Sequence, residues 1–198
     1  GDTVTLAGTS RGKLSVRSCF GASGNRIVIQ NDTSERGPLV IKARGNDGHQ
    51  GIDCVDCEFV TFDGTKKWAG APAGICGIDP TGRKEGRTQC GIQVVRDSGN
   101  PTSLFAVRGS SKNFTIRGVE LDGTEQPGGV GMGLSINDRQ YSKKEHPGEW
   151  RENFLVENNY FHSTRHEGMY IGPNYDNNDS VDDLELRNIK VQYNLVEN

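Results

Sequence analysis

The segment from His162 to Glu167 contains the densest group of titratable side chains in the chain, and Tyr170 follows it closely. It brings two imidazoles, a guanidinium and a carboxylate into one short stretch. Side chains of these types take up or release protons at a reacting group. The segment therefore predicts an acid–base site, and the alternative is an exposed, charged corner without a chemical role.

A basic and aromatic stretch, residues 138–152, precedes this segment. Its candidate substrate-binding side chains are Arg139, Lys143, Lys144 and Trp150. We expect them to contact an anionic substrate, because a loop longer than a tight corner is a frequent place for function. Hydrolysis would need two carboxylates at a suitable separation. Glu167 with Asp138 is a formal pair of that kind, but no motif supports it.

An acidic stretch, residues 173–183, follows the segment. Oxygen-bearing side chains occupy alternate positions in it: Asp176, Asn178, Ser180 and Asp182. Calcium prefers such hard oxygen ligands, so the stretch predicts a Ca²⁺ site with Asp176, Asn178 and Asp182 as ligands. The glycine that lets a calcium loop turn sharply is missing, and the alternative is a solvated loop.

A column of outward-facing side chains is expected beside these stretches. Alternate side chains of a strand point outward. If the apolar residues face inward, the outward side chains are Asp53, Arg108, Ser135 and Tyr170. A polar column with an aromatic end suits a sugar chain lying across the strands, with Ser135 and Arg108 as binding residues. The alternative is that any solvent face is polar.

The elements that must position these side chains are short strands that recur along the chain. The pattern of residues 153–172 recurs in part at 189–198, 113–121 and 58–64, and residues 51–59 align without a gap with 106–114. Removing insertions at 65–95, 138–152 and 173–183 leaves units of about 20–27 residues, each with three strands and three corners. One such unit cannot bury its own apolar face, so the units must stack. The sequence predicts a single all-β domain over residues 1–198, a coil of parallel β-structure.

Composition agrees with this prediction. Hydrophobic residues make up 32% of the 198 residues, and the 27 glycines suit many short strands with turns between them. The net charge of −3 gives no electrostatic basis for binding nucleic acid. No apolar run is long enough to span a bilayer.

A family resemblance rests on five motifs: Gly1–Val4, Gly24–Ile29, Phe114–Gly118, Phe154–Asn158 and Glu167–Gly172. With these motifs nearly the whole chain resembles the pectate-lyase-like superfamily, whose fold is a right-handed parallel β-helix. The motifs are specific for the fold and weak for any single activity. The resemblance also implies that Asn159 and Asn194 lie at equivalent corners and form a stacked amide ladder.

The resemblance implies an extracellular, carbohydrate-active protein that binds or cleaves an acidic polysaccharide as polysaccharide lyases do. A lyase removes the proton alpha to a uronate carboxylate, which requires a base and a cation or Ca²⁺ to stabilise the anion. Here Arg165 or His166 would be the base, and Tyr170 would donate a proton to the leaving oxygen. The side chains that would meet the carboxylate are Lys143, Lys144 and Arg139.

The cysteines give a further expectation about the compartment. Cys76 and Cys90 bracket an insertion rich in glycine, and they are the best candidates for a disulfide. A disulfide indicates a secreted or cell-surface protein. Cys54 and Cys57 form a C-x-x-C, but a zinc site would need a second pair of ligands and a redox motif would need a βαβ unit. We therefore expect Cys54 to pack inside a strand.

The sequence stops at Asn198 in the middle of a predicted coil, where members of the superfamily usually continue. We expect either that the chain is a fragment of a longer helix or that a second copy stacks on its end. Such stacking is heterologous and would give a filament. This expectation supplies an alternative function, a non-catalytic structural or adhesive surface β-helix that associates end to end.

Overall fold

The structure is a computed structural model that describes residues 1–8, 12–45, 50–71, 74, 76–78, 89–124, 130–136, 150–172 and 186–197. These residues form sixteen β-strands and no helix. In chain order the strands are β1 (Thr3–Leu6), β2 (Leu14–Arg17), β3 (Ile27–Asn31), β4 (Leu39–Arg44), β5 (Ile52–Val55), β6 (Val60–Asp63), β7 (Ile92–Ser98), β8 (Ser103–Arg108), β9 (Phe114–Arg117), β10 (Val119–Asp122), β11 (Met132–Ile136), β12 (Arg151–Glu157), β13 (Tyr160–His162), β14 (Glu167–Ile171), β15 (Leu186–Gln192) and β16 (Leu195–Glu197).

The strands form three sheets in which all neighbouring strands are parallel. Sheet A has the order β1-β3-β6-β9-β12-β15, sheet B the order β16-β13-β10-β7-β4, and sheet C the order β14-β11-β8-β5-β2. From β2 onward the chain passes repeatedly from sheet C to sheet A to sheet B, which defines five coils: β2–β4, β5–β7, β8–β10, β11–β13 and β14–β16. The predicted parallel β-helix of short strands is confirmed.

The core lies between the three sheets and is filled by alternate residues of each strand. β-branched and aromatic side chains dominate it, as expected for strands buried on one face. Phe62 packs edge-on against Phe105, with ring centroids 4.9 Å apart, and stacks on Phe114 at 5.9 Å. Phe114 stacks in turn on Phe154 at 6.5 Å. One aromatic column therefore joins coils 2, 3 and 4.

Residues with left-handed backbone conformation mark the corners. Equivalent positions where the chain enters sheet A hold Asn113, immediately before β9, and Asn153 and Asn188, the third residues of β12 and β15, with φ of 53°, 59° and 50°. Asparagine tolerates this conformation better than most residues, and its amide can bond to the next coil. The Asn153 amide donates to the Asn113 side-chain oxygen at 2.7 Å, and Asn188 donates to Asn153. This amide ladder keeps successive coils in register.

A second ladder occupies the corner between sheets A and B, where the sequence predicted it. Asn159 is fully buried, and its side-chain oxygen accepts the backbone N–H of Val119 at 3.0 Å. Its amide donates to the carbonyl of Ile116 and to the side-chain oxygen of Asn194, both at 3.0 Å. The Asn194 amide donates to the carbonyl of Val156 at 2.8 Å. These bonds satisfy backbone groups that a corner would otherwise leave unpaired inside the core.

The strand register corrects one sequence alignment. The alignment of residues 51–59 with residues 106–114 requires a gap, because Asp53 pairs with Ala106 and Val55 pairs with Arg108. The corner after β5 has four residues, 56–59, whereas the corner after β8 has five, 109–113. The ungapped alignment was off by two residues in the first strand. Since side chains alternate with period two, it still placed Asp53 and Arg108 on the correct face.

The insertions leave the helix at two corners. The one predicted over 65–95 joins sheet A to sheet B and ends earlier than predicted, since β7 begins at Ile92. The later two both join sheet C to sheet A in adjacent coils, as predicted, and residues 137–149 and 173–185 lie outside the described residues. No described segment forms a helix of the length and apolarity that crossing a bilayer requires.

Candidate functional site

Arg108, a predicted substrate-binding residue, is engaged within the protein. Its Nε donates to a carboxylate oxygen of Asp53 at 2.9 Å. Lys13 and Arg17 contact the other oxygen of Asp53 at 3.3 Å each, and the carboxylate is fully buried. Burial alone would raise the pKa of Asp53, but the hydrogen bond and positive charge of Arg108, together with Lys13, lower it. Asp53 therefore joins coils 1, 2 and 3 on the outer face of sheet C, and Arg108 is its partner from coil 3.

Ser135 and Tyr170 lie side by side on that outer face, as the sequence predicted. The column contains Ala106 in place of Arg108, so it is less polar than expected. Ser135 is only 4% exposed, which shows that the face is covered at that point. A sugar chain therefore does not have open access to the whole predicted column.

Arg165 and His166, the predicted bases, are exposed in the link between β13 and β14. Their backbone N–H groups donate to the carbonyls of Val130 and Gly131 at 2.9 and 3.1 Å. Tyr170 is three residues beyond the first residue of β14, which places its Cα about 10 Å farther along the strand. Arg165 and His166 therefore precede β14, whereas Tyr170 lies within it, and their catalytic roles stay a prediction.

The remaining predicted residues are placed as follows. Trp150 is 42% exposed, and its ring lies 4.4 Å from the guanidinium carbon of Arg187. Arg139, Lys143 and Lys144 lie outside the described residues, as do the predicted calcium ligands Asp176, Asn178 and Asp182. Cys76 and Cys90 form the predicted disulfide.

A denser group of interacting polar side chains lies on the outer face of sheet B. Parallel register places Gln93, Glu120 and Tyr160 in one outward column, with Asp122, His162 and Glu197 in the next. Their strand neighbours Val119, Leu121 and Phe161 are fully buried in the core. We call the six outward residues, Gln93, Glu120, Asp122, Tyr160, His162 and Glu197, the His162 cluster.

His162 is the centre of this cluster. Its Nε2 lies 2.9 Å from a carboxylate oxygen of Glu120, and its Nδ1 lies 3.6 Å from a carboxylate oxygen of Asp122. Gln93 donates to the other oxygen of Glu120 at 2.6 Å, which fixes that carboxylate. The side chains of His162 and Asp122 are 19% and 22% exposed, so solvent reaches the site. The imidazole is thus held between two carboxylates at an accessible surface.

The charges around His162 determine its protonation. Burial alone would lower the pKa of the imidazole. The hydrogen bond to Glu120 and the negative charges of Asp122, Glu120 and Glu197 outweigh burial and raise it above the ordinary value. His162 therefore carries its proton to a higher pH than a free histidine does, and it can act as an acid near neutrality.

The disulfide insertion closes one side of the cluster. Cys76, Cys90, Tyr160 and Leu195 form a small apolar cluster of their own, against which Ile78 packs. The ring of Tyr160 stacks on the imidazole of His162 with 4.3 Å between centroids, and its hydroxyl donates to Glu197 at 3.0 Å. The insertion therefore limits the movement of the aromatic ring on which His162 rests.

The cluster offers acid–base chemistry. An imidazolium beside two carboxylates supplies a proton donor, and one of the two possible acceptors, Glu120, lies within hydrogen-bonding distance of it. Among the described residues, no group of three or more histidine, cysteine, aspartate or glutamate side chains has the arrangement of a metal site. The predicted Ca²⁺ site rests on residues 176–182, outside the described ranges, and stays a prediction.

Sequence reasoning included His162 in its titratable segment but assigned no role to it. Glu120 and Asp122 are about forty residues away along the chain and become neighbours only through coil stacking. The signal that could have found them is the spacing of the repeat. Aligning Val119–Asp122 with Asn159–His162 would have placed both carboxylates beside the imidazole.

The chain's features define a class of protein: a parallel β-helix with a carboxylate–histidine site on the outer face of one sheet. No protein-family model, curated protein or solved structure significantly matches the chain. The fold and the site geometry therefore provide the basis for a functional proposal.

Proposed function

We propose that this protein is an extracellular carbohydrate-active β-helix that binds a glycan across the outer face of sheet B and hydrolyses it at the His162 cluster. The observation that carries the proposal is an accessible imidazole with a raised pKa between Glu120 and Asp122. The disulfide supports an oxidising compartment. The resemblance to the pectate-lyase-like superfamily supports a glycan as the substrate.

The residues divide into roles by their contacts. Protonated His162 is the general acid that would protonate the leaving glycosidic oxygen. Asp122 lies 3.6 Å from the same ring and is more exposed than Glu120, so it would help to keep the imidazole charged, while water attacks the sugar from the solvent side. Glu120 holds the imidazole in place and keeps it charged, while Gln93 orients Glu120. This division follows the common pattern of a base or acid oriented by a further group.

The charge of the cluster indicates which glycans fit. Glu120, Asp122 and Glu197 place three carboxylates around one imidazole, so the site has excess negative charge. Such a site repels a uronate carboxylate placed directly against it. Hydrolysis of a glycan that is uncharged at the cleaved residue therefore fits the cluster better than elimination on a polyuronate.

A second candidate function is the β-elimination on an acidic polysaccharide predicted from the sequence. It is favoured by the two exposed side chains of Arg165 and His166 at the rim of sheet C. Tyr170 would then donate a proton to the leaving oxygen. Arg139, Lys143 and Lys144, with Ca²⁺ if it binds, would meet the uronate carboxylate.

The test uses one panel of glycans and two variants. The protein is incubated with neutral polysaccharides, pectate, alginate and glycosaminoglycans, with and without Ca²⁺. New reducing ends without near-ultraviolet absorbance indicate hydrolysis, and absorbance by unsaturated uronides indicates elimination. We expect His162→Asn to reduce hydrolysis by about 100-fold or more, the usual contribution of a general acid. Arg165→Ala/His166→Ala is the matched control, which should leave hydrolysis unchanged.

The opposite pattern supports elimination: uronides form, and only the Arg165→Ala/His166→Ala variant loses activity. If no glycan of the panel is cleaved, both enzymatic proposals fail. The structural or adhesive alternative then stands, and it predicts regular polymers by electron microscopy. Circular dichroism of each variant shows whether the fold is retained, so a loss of activity is not confused with unfolding.

A further inference from the structure

Three free thiols meet at the corner between sheets C and A in coils 1 and 2. Cys19, Cys54 and Cys57 are outside the Cys76–Cys90 disulfide. Cys19 and Cys54 both lie close enough to Cys57 to affect the pKa of its thiol, and the Cys57 thiol lies 3.6 Å from the carbonyl oxygen of Val16 on coil 1. The Cys57 thiol also lies 3.4 Å from the carbonyl oxygen of Val55. This group is far from the His162 cluster in the fold, since it lies on the first two coils and outside sheet B.

The strand register brings two of these cysteines directly opposite each other. Arg17 pairs with Val55, and Phe20 pairs with Glu58, so Cys19 lies opposite Cys57 on the adjacent coil. The Glu58 N–H confirms this by donating to the carbonyl of Cys19 at 2.8 Å. Neighbouring parallel strands lie about 4.8 Å apart, within the range of about 4.4–6.8 Å between Cα atoms that a disulfide needs. Cys54, by contrast, lies opposite Val16.

The three thiols differ in reactivity because their surroundings differ. The hydrogen bond from Cys54, helped by Cys19 and by neighbouring backbone groups, outweighs the effect of burial and lowers the pKa of Cys57 to about 7. Burial raises the pKa of Cys54 well above its ordinary value, and burial also raises that of Cys19. Cys57 is therefore the thiolate of the group near neutral pH. Cys19 is partly exposed, whereas Cys54 and Cys57 are fully buried.

We infer that these residues form a reversible redox site in which a low-molecular-weight disulfide oxidises Cys19 and Cys57 to a second disulfide. Cys19 reacts first because it is the accessible thiol: it loses its proton, attacks one sulfur of the small disulfide, forms a mixed disulfide and releases one small thiolate. The Cys57 thiolate then attacks the Cys19 sulfur and displaces the second small thiolate. Two protein thiols are oxidised, one small disulfide is reduced to two small thiols, and the two protons go to those thiols.

The structure also accounts for the odd number of cysteines. With Cys76–Cys90 and Cys19–Cys57 paired, Cys54 is left over, fully buried and protonated. A thiol in this state reacts slowly with outside reagents. The new disulfide would join coil 1 covalently to coil 2, so it would stabilise the N-terminal coil in an oxidising environment and release it in a reducing one.

The test is thiol counting and peptide mapping on the full chain after treatment with oxidised glutathione. We expect the number of free thiols per chain to fall from three to one, and the proteolytic map to show a Cys19–Cys57 link. The oxidised protein should also have a higher Tm than the same protein with that link selectively reduced. A Cys54–Cys57 link, or an unchanged count of three, would overturn the inference.

Two single variants separate the roles of the cysteines. Cys54→Ala should still form the Cys19–Cys57 link and fall from two free thiols to none. Cys19→Ser removes the accessible thiol, so it should keep both remaining thiols under the same treatment. Loss of thiols in Cys19→Ser at the wild-type rate would contradict the assignment. Peptide mapping of the wild-type protein decides the question even if a variant does not fold.

Discussion

At His162 two physical effects on one imidazole act in opposite directions. Burial favours the neutral ring, while Glu120, Asp122 and Glu197 favour the charged one and prevail. A histidine whose pKa is raised on folding stabilises the protein most below its ordinary pKa, and this stability is lost as the pH rises through the folded pKa. The charge of His162 therefore makes the folded state less stable toward alkaline pH.

The first prediction concerns the partner that holds this charge. Glu120→Gln keeps a hydrogen-bond acceptor but removes a negative charge, so the pKa of His162 should fall toward or below its ordinary value. NMR titration of the imidazole measures this directly. The loss of stability with rising pH, followed by urea unfolding, should become smaller in the variant. The exposed His166, titrated in the same spectra, serves as an internal control, and an unchanged His162 titration would contradict the prediction.

The second prediction concerns the buried amide of Asn159. Asn159→Ala leaves the N–H of Val119 and the carbonyl of Ile116 unpaired in the core. We expect unfolding to require about 2–4 kcal/mol less free energy, since each buried group left unpaired costs about 1–3 kcal/mol. Urea denaturation measures the difference. Asn188→Gly, which keeps the left-handed backbone at an exposed position in β15, should have a much smaller effect. Equal losses in the two variants would show that burial of the amide is not the cause.

Among the elements, sheet C depends on one buried charge network. The carboxylate of Asp53 on β5 forms ion pairs with Arg108 of β8, Arg17 of β2 and Lys13, which lies immediately before β2. Its pKa is lowered, so the stability that it contributes is present above its ordinary pKa and lost as the pH falls through the folded pKa. The stability that this network contributes should therefore be lost as the pH falls, whereas the stability that His162 contributes is lost as the pH rises.

The third prediction tests this network. Asp53→Asn should lower the free energy of unfolding by about 1–3 kcal/mol, because charge-assisted hydrogen bonds to a buried carboxylate are lost. Chemical denaturation at neutral pH gives the size of the effect. At a pH well below the ordinary pKa of aspartate, the wild type and the variant should converge. Asp97→Asn, which removes a carboxylate paired with Lys42 and Arg44 at the surface, is the control and should change stability less.

For the molecule as a whole, the β6–β7 insertion connects coils that are not neighbours. It begins in coil 2, yet Cys76 and Cys90 pack against Tyr160 of coil 4 and Leu195 of coil 5. The N–H of Ile78 donates to the carbonyl of Tyr193 at 2.9 Å. In a simple solenoid each repeat contacts only its neighbours, so the ends can unfold alone. Here the insertion makes coils 2 and 5 depend on each other.

The fourth prediction follows from this connection. In the wild type, unfolding by urea should give coincident transitions by tryptophan fluorescence and circular dichroism, as an all-or-none process does. Cys76→Ser/Cys90→Ser should weaken the packing of the insertion against coils 4 and 5. The fluorescence and circular dichroism transitions should then occur at different urea concentrations. Cys54→Ala, which leaves the insertion intact, is the control. Separate transitions already in the wild type would contradict the prediction.

How much the sequence could predict differs between fold and site. Glycine and asparagine corners between short apolar strands recur often enough to indicate stacked parallel coils. The family resemblance implied the Asn159–Asn194 ladder, and the position of two cysteines on either side of an insertion predicted the Cys76–Cys90 disulfide. The strand register could not be predicted in this way, because packing decides the length of each corner and a single sequence does not show that packing. His162 was assigned no role for the same reason, since Glu120 approaches it only when β10 and β13 are paired.

The hydrogen bond between Ile78 and Tyr193 has a consequence for how this chain can change in evolution. Solenoid proteins readily gain or lose whole repeats by duplication and deletion. An extra coil between coils 2 and 5 would move Tyr193 away by about 4.8 Å, the spacing of neighbouring strands, and would break its bond to Ile78. A duplication of coil 3 or 4 would therefore require a longer insertion at the same time. The insertion sets the number of coils that this helix can contain between its two attachment points.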